Sequence, residues 1–354
     1  MNVLGLMSGT SLDGVDLACV SFSENNNSYS YKTICCQTIS YTHEWKNKLK
    51  NIISASAKSY VQTHVEYGHF LGELINNFIQ KNKLSVDLIA SHGHTIFHQP
   101  NKKFTSQIGD GAAISAITNL PVVCDFRSVD VALGGQGAPL VPVGDKFLFS
   151  EFDYCLNLGG IANISYDDEK NNRIAFDICP VNMALNYLCT LSGFDFDQDG
   201  KNAQLGSLNN QMLNQLNNLS FYNQPPPKSL GAEWFAKDFK TVLDNSTIPN
   251  NNKLQTVCVH IAQQISKVIA GQNKKMLVTG GGAHNSFLIA KIKQFLPQAD
   301  VVIPSKEIID FKEAIIFALL GYLRLNKKTN ALSSVTGAIQ DNCGGTVYDA
   351  FGKL

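Results

Sequence analysis

Residues 2–22, NVLGLMSGTSLDGVDLACVSF, decide how the fold begins. Two apolar, β-rich runs, 2–7 and 15–22, flank a segment whose glycines and aspartate suit a tight turn. This pattern predicts a β-hairpin at the start of the chain. A third strand is expected near 30–39, and apolar residues at three- and four-residue spacing predict a long amphipathic helix over 59–82.

The same plan returns from residue 154. The repeated segments are YCLNLGG at 154–160, IANISYD at 161–167, RIAFDIC at 173–179 and a helical pattern over 182–191. Strand, glycine turn, strand, strand and helix therefore occur twice along the chain. The duplication favours two related α/β halves over one large sheet, and 354 residues suit two domains at roughly 150 residues each.

The rest of the second half predicts loops and three regular elements. Residues 196–254 are polar and rich in Asn, which indicates loops with short helices. A helix is expected over 255–270, a strand over 275–279 that ends in Gly280–Gly282, and a helix over 285–295. A strand that ends in glycines before a helix often holds phosphate or nucleotide, because the helix N-terminus presents free N–H groups. Close packing is the alternative use of these glycines.

Composition excludes several classes of partner. Lys plus Arg and Asp plus Glu number 29 each, so charge gives no reason to expect nucleic acid or an anionic membrane as a partner. The longest apolar stretch, 314–323, falls short of the ~20 residues that a bilayer crossing needs. The nine cysteines are scattered without a Cys-x-x-Cys pair, and the N-terminus lacks a secretory signal pattern. We therefore expect a cytoplasmic protein without nucleic-acid or membrane partners.

Hydroxyls, glycines and two carboxylates are concentrated in residues 8–16, SGTSLDGVD. Glycine lets backbone N–H groups approach a phosphate, and a carboxylate can hold Mg²⁺ directly or through water. A phosphate-binding loop is one interpretation, and a hairpin turn that needs Gly and Asp to bend is the other. The loop is not a Walker P-loop, because the Gly-Lys-[Ser/Thr] ending is missing.

Two acids stand where they could take part in catalysis. Asp177 follows Phe176 near the end of a strand in the second half, and a carboxylate there can accept a proton or polarise a water. Its alternative use is as the N-cap of the following helix. Glu313, on a helix expected over 311–325, either faces a cleft or is a first-turn acid stabilised by the helix dipole.

Three imidazoles lie within HGHTIFH at 92–98. If residues 89–97 are extended, His92 and His94 share one face, which would suit a Zn²⁺ pair. No Cys or carboxylate lies at a tight spacing to complete a tetrahedral set, however, and Gly93 suits a strand end that lines a substrate site. We therefore interpret the histidines as hydrogen-bonding or structural groups.

Arg127 precedes a segment dense in glycine, GGQGAPLVP at 134–142. An arginine here can form a fork of two hydrogen bonds to a carboxylate or a phosphate. The alternative is a salt bridge between Arg127 and Asp125 or Asp130.

Six motifs occur in order along the chain. They are GLMSGTSLDGVD at 5–16, SHGHTIFH at 91–98, DFRSVDVALGGQGAPLVP at 125–142, NLGGIANIS at 157–165, PPPKSLG at 225–231 and VTGGGAHN at 278–285. Together they closely resemble the anhydro-N-acetylmuramic acid kinase family over nearly the whole chain. The first and third motifs are the most diagnostic.

The resemblance carries an expectation about the fold. The family resembles the sugar kinase, Hsp70 and actin superfamily, which implies an α/β fold of two related actin-like (ribonuclease H-like) domains flanking a central nucleotide cleft. We expect an N-terminal domain over 1–130, joined by the C-terminal segment 340–354, and a C-terminal domain over 131–339. The resemblance also implies a homodimer.

The implied reaction uses ATP, Mg²⁺ and a small sugar. Water attacks the anomeric carbon of 1,6-anhydro-N-acetylmuramic acid while the freed O6 takes the γ-phosphoryl group, which gives N-acetylmuramate 6-phosphate for peptidoglycan recycling. One alternative is a catalytically weak regulatory protein that depends on nucleotide or sugar. Another is an ordinary hexose kinase in which Asp177 deprotonates a substrate hydroxyl.

The resemblance also suggests roles for individual residues. Asp177 is the expected base and Glu313 a second catalytic acid, while Asp13 is the expected Mg²⁺ ligand. The candidate substrate-binding residues are Arg127, His92, His98 and Asn182. The candidate nucleotide-binding residues are Gly9, Thr10, Ser11, Leu12, Asp13, Gly14, Val15, Asp16, Gly159, Gly160, Gly280, Gly281 and Gly282.

Two segments depart from the family's pattern. The family usually follows the aspartate with Thr-Gly-Pro-Gly-Asn, whereas Asp177 is followed by Ile-Cys-Pro-Val-Asn at 178–182. One hydroxyl and two glycines are lost, so Cβ atoms are expected where a phosphate would approach. Gly144 and Asp145 also stand where the family commonly carries aromatic and histidine residues.

Overall fold

The computed structural model describes residues 1–9, 12–25 and 28–354. The chain forms two compact units: unit 1 comprises Met1–Leu148 and Phe311–Leu354, and unit 2 comprises Phe149–Asp310. These limits differ from the domain limits expected from the sequence, at 130/131 and 339/340. The reason is packing: Gly144 lies against Ile316, so residues 131–148 and 311–339 belong to unit 1.

Each unit is built on a mixed β-sheet. The strands are β1 (Asn2–Ser8), β2 (Gly14–Asn25), β3 (Ser28–Ser40), β4 (Leu88–Gln99), β5 (Phe104–Ile108), β6 (Val122–Cys124), β7 (Tyr154–Leu158), β8 (Ile161–Asp167), β9 (Arg173–Pro180), β10 (Lys275–Thr279), β11 (Asp300–Val302) and β12 (Thr346–Tyr348). The sheet of unit 1 has the order β12-β6-β4-β1-β2-β3, with β5 paired to β4. The sheet of unit 2 has the order β11-β10-β7-β8-β9.

The two sheets share one topology. In unit 1, β1, β2 and β3 pair antiparallel, while β1 pairs parallel with β4 and β4 with β6. In unit 2, β7, β8 and β9 pair antiparallel, while β7 pairs parallel with β10 and β10 with β11. The predicted opening hairpin and the predicted duplication are therefore confirmed, and with them the expected fold class of two related actin-like α/β units.

Helices pack on the sheets of both units. The α-helices are α1 (His43–Asn51), α2 (Ala57–Asn82), α3 (Gly111–Thr118), α4 (Ser128–Ala132), α5 (Val141–Leu148), α6 (Asn182–Thr190), α7 (Lys201–Gln204), α8 (Asn210–Asn217), α9 (Ala232–Trp234), α10 (Lys240–Asn245), α11 (Asn250–Ser266), α12 (Ser286–Phe295), α13 (Lys306–Leu325) and α14 (Ser333–Thr336). Short 3-10 helices cover Ile52–Ser54, Pro100–Lys102, Gln198–Gly200, Ser220–Asn223 and Gly281–His284, and a π-helical turn covers Phe235–Phe239. In the described ranges, no helix combines the length and the apolar character that a bilayer crossing requires.

The predicted amphipathic helix of unit 1 is α2. Ser56 caps its N-terminus by accepting a hydrogen bond from the Ser59 N–H, and Lys83 ends it in a left-handed conformation. Buried side chains recur at three- and four-residue spacing along the helix and join the core beside β1, β2 and β4. The apolar spacing therefore predicted the packing face correctly at Leu71, Leu74, Ile75 and Phe78, whereas Val61, at the start of the pattern, is 60% exposed.

The core of unit 2 lies between its sheet and helices α6, α11 and α12. Helix α11 begins at Asn250, directly after Pro249, and its Val257, Ile261 and Ile265 are fully buried. The helix starts earlier than the sequence predicted, because the Asn-rich run 250–252 is its first turn rather than a loop. The rest of residues 196–254 forms short helices and loops, as predicted.

Gly5 permits a close contact between β1 and α13. A Cβ atom at this position would lie 2.0 Å from the carbonyl oxygen of Ala314 and 2.8 Å from the backbone nitrogen of Ala318. Both contacts are backbone atoms of a helix, so neither can move aside without displacing α13.

We expect Gly5→Ala to destabilise the protein by at least about 1–3 kcal/mol, because the added methyl group overpacks this contact. Gly160→Ala is the matched control, since the nearest atom to its Cβ would be the Cε of Met183 at 3.9 Å. Thermal unfolding followed by circular dichroism would compare the two variants. Equal melting temperatures would contradict the packing argument.

Candidate active site

Arg127 lies immediately before α4 and contacts His92 on β4. Its Nη2 and Nε atoms lie 2.9 Å and 3.2 Å from the His92 Nε2 atom, and its Nη1 donates to the carbonyl oxygen of Gly137 at 2.7 Å. Arginine can only donate, so His92 Nε2 must accept. The proton of His92 is therefore assigned to Nδ1, which donates to the Gly93 carbonyl oxygen at 2.9 Å.

Electrostatics keep His92 neutral and Arg127 positively charged. Burial, and then the positive charge of Arg127, hold the pKa of His92 well below its usual range. Burial lowers the pKa of Arg127 to about 10, while the charge of Glu313 opposes that shift. At neutral pH, His92 is therefore a neutral acceptor beside a cationic guanidinium.

Asp130 holds the glycine-rich segment that follows Arg127. Its carboxylate is fully buried and accepts hydrogen bonds from the Gly137 N–H at 2.7 Å, the Thr336 hydroxyl at 2.7 Å and the Asn342 amide at 2.8 Å. Because the carbonyl of Gly137 accepts from Arg127, Asp130 also fixes the guanidinium indirectly. Among the described residues, the three Arg127 nitrogens bond to His92 and Gly137, so the salt bridge with Asp125 or Asp130 that the sequence offered as an alternative is wrong. Asp125 instead accepts from Ser128.

Glu313 lies in the third turn of α13, because the helix begins at Lys306 rather than at residue 311. The alternative use of Glu313 as a first-turn acid is therefore wrong. The Glu313 side chain is exposed to solvent, but desolvation by the surrounding protein raises its pKa. The charges of Lys312 and Arg127 act against this rise, and the charge of Asp16 adds to it.

Gly144 and Asp145, which depart from the family's pattern, pack against α13. A Cβ atom on Gly144 would lie 2.3 Å from the Ile316 side chain, so glycine allows α5 to approach the helix. Asp145 forms an ion pair with Lys312 at 2.6 Å, and each side chain is 5% exposed. Both residues therefore have a structural role next to Glu313.

The other two histidines of the motif have separate partners. His94 Nδ1 lies 2.9 Å from the Ser8 hydroxyl, which also contacts the buried hydroxyls of Tyr41 and Tyr67. Gly93 has a φ of +70°, which breaks the regular alternation that would place His92 and His94 on one face. His98 is exposed and bonds to the Thr105 hydroxyl at 3.0 Å.

Two residues of the predicted nucleotide loop, Thr10 and Ser11, lie outside the described residues. Gly9, Leu12 and Asp13 connect the first two strands, and the Asp13 side chain is exposed.

Gly14, Val15 and Asp16 belong to β2 rather than to the loop. The Val15 side chain is fully buried, so only its backbone is available to a nucleotide. A Cβ on Gly14 would lie 2.4 Å from the Ile39 carbonyl oxygen, and Asp16 accepts from the Thr38 hydroxyl at 2.6 Å.

Asp177 lies on β9 with a half-buried side chain. Its Oδ2 accepts a hydrogen bond from the Leu230 N–H at 2.8 Å, and its own N–H donates to the Lys228 carbonyl oxygen at 3.0 Å. Burial raises the pKa of Asp177, and the Leu230 N–H partly counters that rise. Helix α6 begins at Asn182 with Val181 as its N-cap residue, so the alternative use of Asp177 as that cap is wrong.

The segment after Asp177 points its side chains into the protein. Ile178, Cys179 and Val181 are 3%, 0% and 0% exposed and belong to the core of unit 2. Their Cβ atoms were expected to occupy space that a phosphate would approach. In the structure these apolar side chains pack in the core, where the family's pattern has a hydroxyl and two glycines.

Glycines from two turns of unit 2 meet at the start of α6. Gly159 and Gly160 join β7 to β8, and their carbonyl oxygens accept hydrogen bonds from the N–H groups of Asn182 and Val181. A Cβ on Gly281 would lie 3.5 Å from the Nδ2 atom of the Asn182 side chain. The structure therefore brings these three glycines and Asn182 together.

Close packing accounts for the other two glycines of the triplet. Gly280 has a φ of +81°, and its Cβ would lie 2.4 Å from the Asn157 Oδ1 atom. A Cβ on Gly282 would lie 2.7 Å from the Leu158 Cβ. The triplet opens a 3-10 turn rather than an α-helix, and Asn285 caps the N-terminus of α12 by accepting from the Leu288 N–H.

A family model and the sequence relatives of this chain indicate the same family. The family model for anhydro-N-acetylmuramic acid kinase matches residues 1–350. The anhydro-N-acetylmuramic acid kinase of Vibrio vulnificus is 34% identical over 365 residues, which cover 98% of this chain and 97% of that one. The enzyme of the same name from Sulfurimonas denitrificans is 31% identical over 371 residues, covering 98% and 99%.

A more distant likeness is to a solved structure, the activator of the 2-hydroxyisocaproyl-CoA dehydratase from Clostridium difficile with bound ADPNP. It is 14% identical with a TM-score of 0.43, and the match covers 91% of this chain and 94% of that one. The assignment rests on the sequence matches, which extend over nearly the whole chain. The chain therefore belongs to the anhydro-N-acetylmuramic acid kinase family.

Proposed function

We propose that the protein is a kinase that hydrolyses the 1,6-anhydro ring of anhydro-N-acetylmuramic acid and phosphorylates O6 with ATP. Family membership supports this reaction, and the observation that carries the mechanism is the half-buried carboxyl of Asp177 with its raised pKa. A base of this kind holds a proton more readily than an exposed carboxylate. The product, N-acetylmuramate 6-phosphate, fits a role in peptidoglycan recycling.

Asp177 takes the proton of the attacking water. The water oxygen bonds to the anomeric carbon, and the bond from that carbon to O6 breaks with its electron pair remaining on O6. The freed O6 then bonds to the γ-phosphorus of ATP, and ADP leaves. Phosphoryl transfer needs chiefly positioning and charge neutralisation, whereas opening the bicyclic acetal needs a placed nucleophile.

Arg127 is proposed to bind the carboxylate of the sugar's lactyl group. A guanidinium has five N–H donors, and Arg127 directs one from each of its three nitrogens to His92 and Gly137. The remaining two donors are the number that a bidentate carboxylate accepts. His92 then has a positioning role, because its acceptor nitrogen already holds the guanidinium.

Backbone groups of Gly9, Gly159, Gly160 and Gly281 are proposed to contact the nucleotide, and Asp13 to contribute to a Mg²⁺ site. Among the described residues, no cluster of three or more His, Cys, Asp or Glu side chains could hold a metal alone. The exposed Asp13 carboxylate fits a Mg²⁺ ion that phosphates and waters mostly coordinate. When bound, Mg²⁺ neutralises phosphate charge during transfer.

The regulatory and hexose kinase alternatives receive no support from the altered segment after Asp177. The side chains of Ile178, Cys179 and Val181 pack in the core of unit 2, while the Asp177 side chain is half-buried and keeps its hydrogen bond from the Leu230 N–H. A cytoplasmic location remains a prediction from the sequence and a homodimer an implication of the family resemblance, which cell fractionation and light scattering would test.

We expect Asp177→Asn to lower turnover of the anhydro sugar by about 100- to 10,000-fold, because the amide cannot take the proton from water. ADP release with Mg-ATP and 1,6-anhydro-N-acetylmuramic acid is the measurement, and ordinary hexoses serve as alternative substrates. Asp195→Asn, an exposed acid of the same unit, is the matched control. Full activity of Asp177→Asn would exclude this residue as the base.

Activity should fall as the pH drops through the pKa of Asp177. The base acts only when ionised, and its pKa lies above the ordinary value of 3.8, so the acid limb of kcat/KM should lie above that value. Glu313 also has a raised pKa, so the profile should be repeated with Glu313→Gln. Disappearance of the acid limb in that variant would assign the limb to Glu313 instead.

Arg127→Ala should raise the KM for the sugar by about 10- to 100-fold and change the KM for ATP much less, because two charge-assisted hydrogen bonds to the sugar are lost. Arg324→Ala is the control, since Arg324 donates to the Gly345 carbonyl oxygen in the same unit. Steady-state kinetics with each substrate varied would separate the effects. Equal losses for sugar and ATP would contradict a sugar-binding role.

A further inference from the structure

The motif PPPKSLG, residues 225–231, contacts Asp177 through its backbone. The Lys228 carbonyl oxygen accepts from the Asp177 N–H at 3.0 Å, and the Leu230 N–H donates to Asp177 Oδ2 at 2.8 Å. These two bonds lie on either side of the exposed Ser229. The segment therefore fixes both the backbone and one carboxylate oxygen of Asp177.

The same segment is attached to the core of unit 2 by the Lys228 side chain. Its Nζ donates to the Phe221 carbonyl oxygen at 3.3 Å and lies 4.7 Å from the centre of the Phe221 ring. Phe221 is 3% exposed and packs 5.3 Å from the ring of Trp234. The prolines at 225–227 further restrict the backbone, because each ring fixes φ.

The two oxygens of the Asp177 carboxyl have different surroundings. Oδ2 is engaged by Leu230, whereas Oδ1 receives no hydrogen bond from the residues that the structure describes. A hydrogen bond to one carboxylate oxygen orients the group and leaves the lone pairs of the other oxygen available. Oδ2 is therefore the anchored oxygen, and Oδ1 is the oxygen available to accept a proton.

We propose that residues 228–230 position Asp177 for catalysis, with Leu230 N–H anchoring Oδ2 so that Oδ1 receives the proton of the attacking water. This inference rests on the proposed function, in which Asp177 is the base. Lys228 and Leu230 are positioning residues, since they act through Asp177 and not on the sugar. Lys228 has this role because its side chain holds the segment against Phe221.

Leu230→Pro tests the anchor, because proline removes the N–H and Leu230→Ala retains it. We expect Leu230→Pro to lower kcat at least about 10-fold with little change in either KM, and to move the acid limb about one pH unit upward. The sign follows from the lost bond, which favours the ionised carboxylate. Leu230→Ala should keep the wild-type limb, and a purely structural defect would reduce the active fraction without moving it.

Lys228→Met provides a second test that removes the Nζ donor and keeps the length of the stem. We expect a smaller fall in kcat with an upward shift of the same limb, and recovery in Lys228→Arg, which restores a donor. If Leu230→Pro does not fold, the Lys228 pair decides the inference. Wild-type kcat and an unmoved acid limb in Lys228→Met would then overturn it.

Asp177→Asn separates failure of this inference from failure of the proposed function. If Asp177→Asn retains turnover, Asp177 is not the base and the proposed mechanism fails, whatever the loop variants do. If Asp177→Asn is inactive while a folded Leu230→Pro keeps wild-type kcat and pH profile, residues 228–230 do not position the base. The proposed kinase activity would stand in that case.

Discussion

Parallel pairing between the first and fourth strands of each unit is the constraint on which the candidate site depends. In unit 1 this pairing brings Ser8, at the end of β1, opposite His94 on β4. In unit 2 it brings Asn157 on β7 opposite Thr279, so the glycine turns that follow these strands meet. Carboxyl ends of parallel strands share one sheet edge, where α/β proteins commonly bind ligands. The same topology in both units thus produces two related loop clusters.

Buried polar groups give those loops their chemistry. In unit 1 the Asp130 carboxylate holds Gly137, and Gly137 with neutral His92 holds Arg127. In unit 2 the Leu230 N–H holds the Asp177 carboxylate, and the Lys228 carbonyl oxygen accepts from the Asp177 N–H. Burial raises the pKa of Asp177, while it lowers the pKa values of Arg127 and His92, because in each case the low-polarity surroundings disfavour the charged form.

Departures from the family's pattern are compensated by packing. Ile178, Cys179 and Val181 join the core of unit 2, so the side chains that stand where the family has glycines are accommodated by packing. Gly144 and Asp145 similarly accommodate α13, where the Asp145–Lys312 pair keeps a buried lysine neutralised. In both places the altered residues have structural partners within their own unit.

The sequence by itself determined the opening hairpin, the long helix of unit 1, the main strands and helices of unit 2, the duplication and the identity of Asp177, Arg127 and Glu313 as candidates. These features are readable because hydrophobic periodicity and turn residues depend on near neighbours in the chain. Only the tertiary structure decided that Asp130 supports Gly137, that His92 accepts from Arg127, and that Leu230 anchors Asp177. The last two contacts join residues 35 and 53 positions apart, and no local pattern encodes them because they depend on how the elements pack.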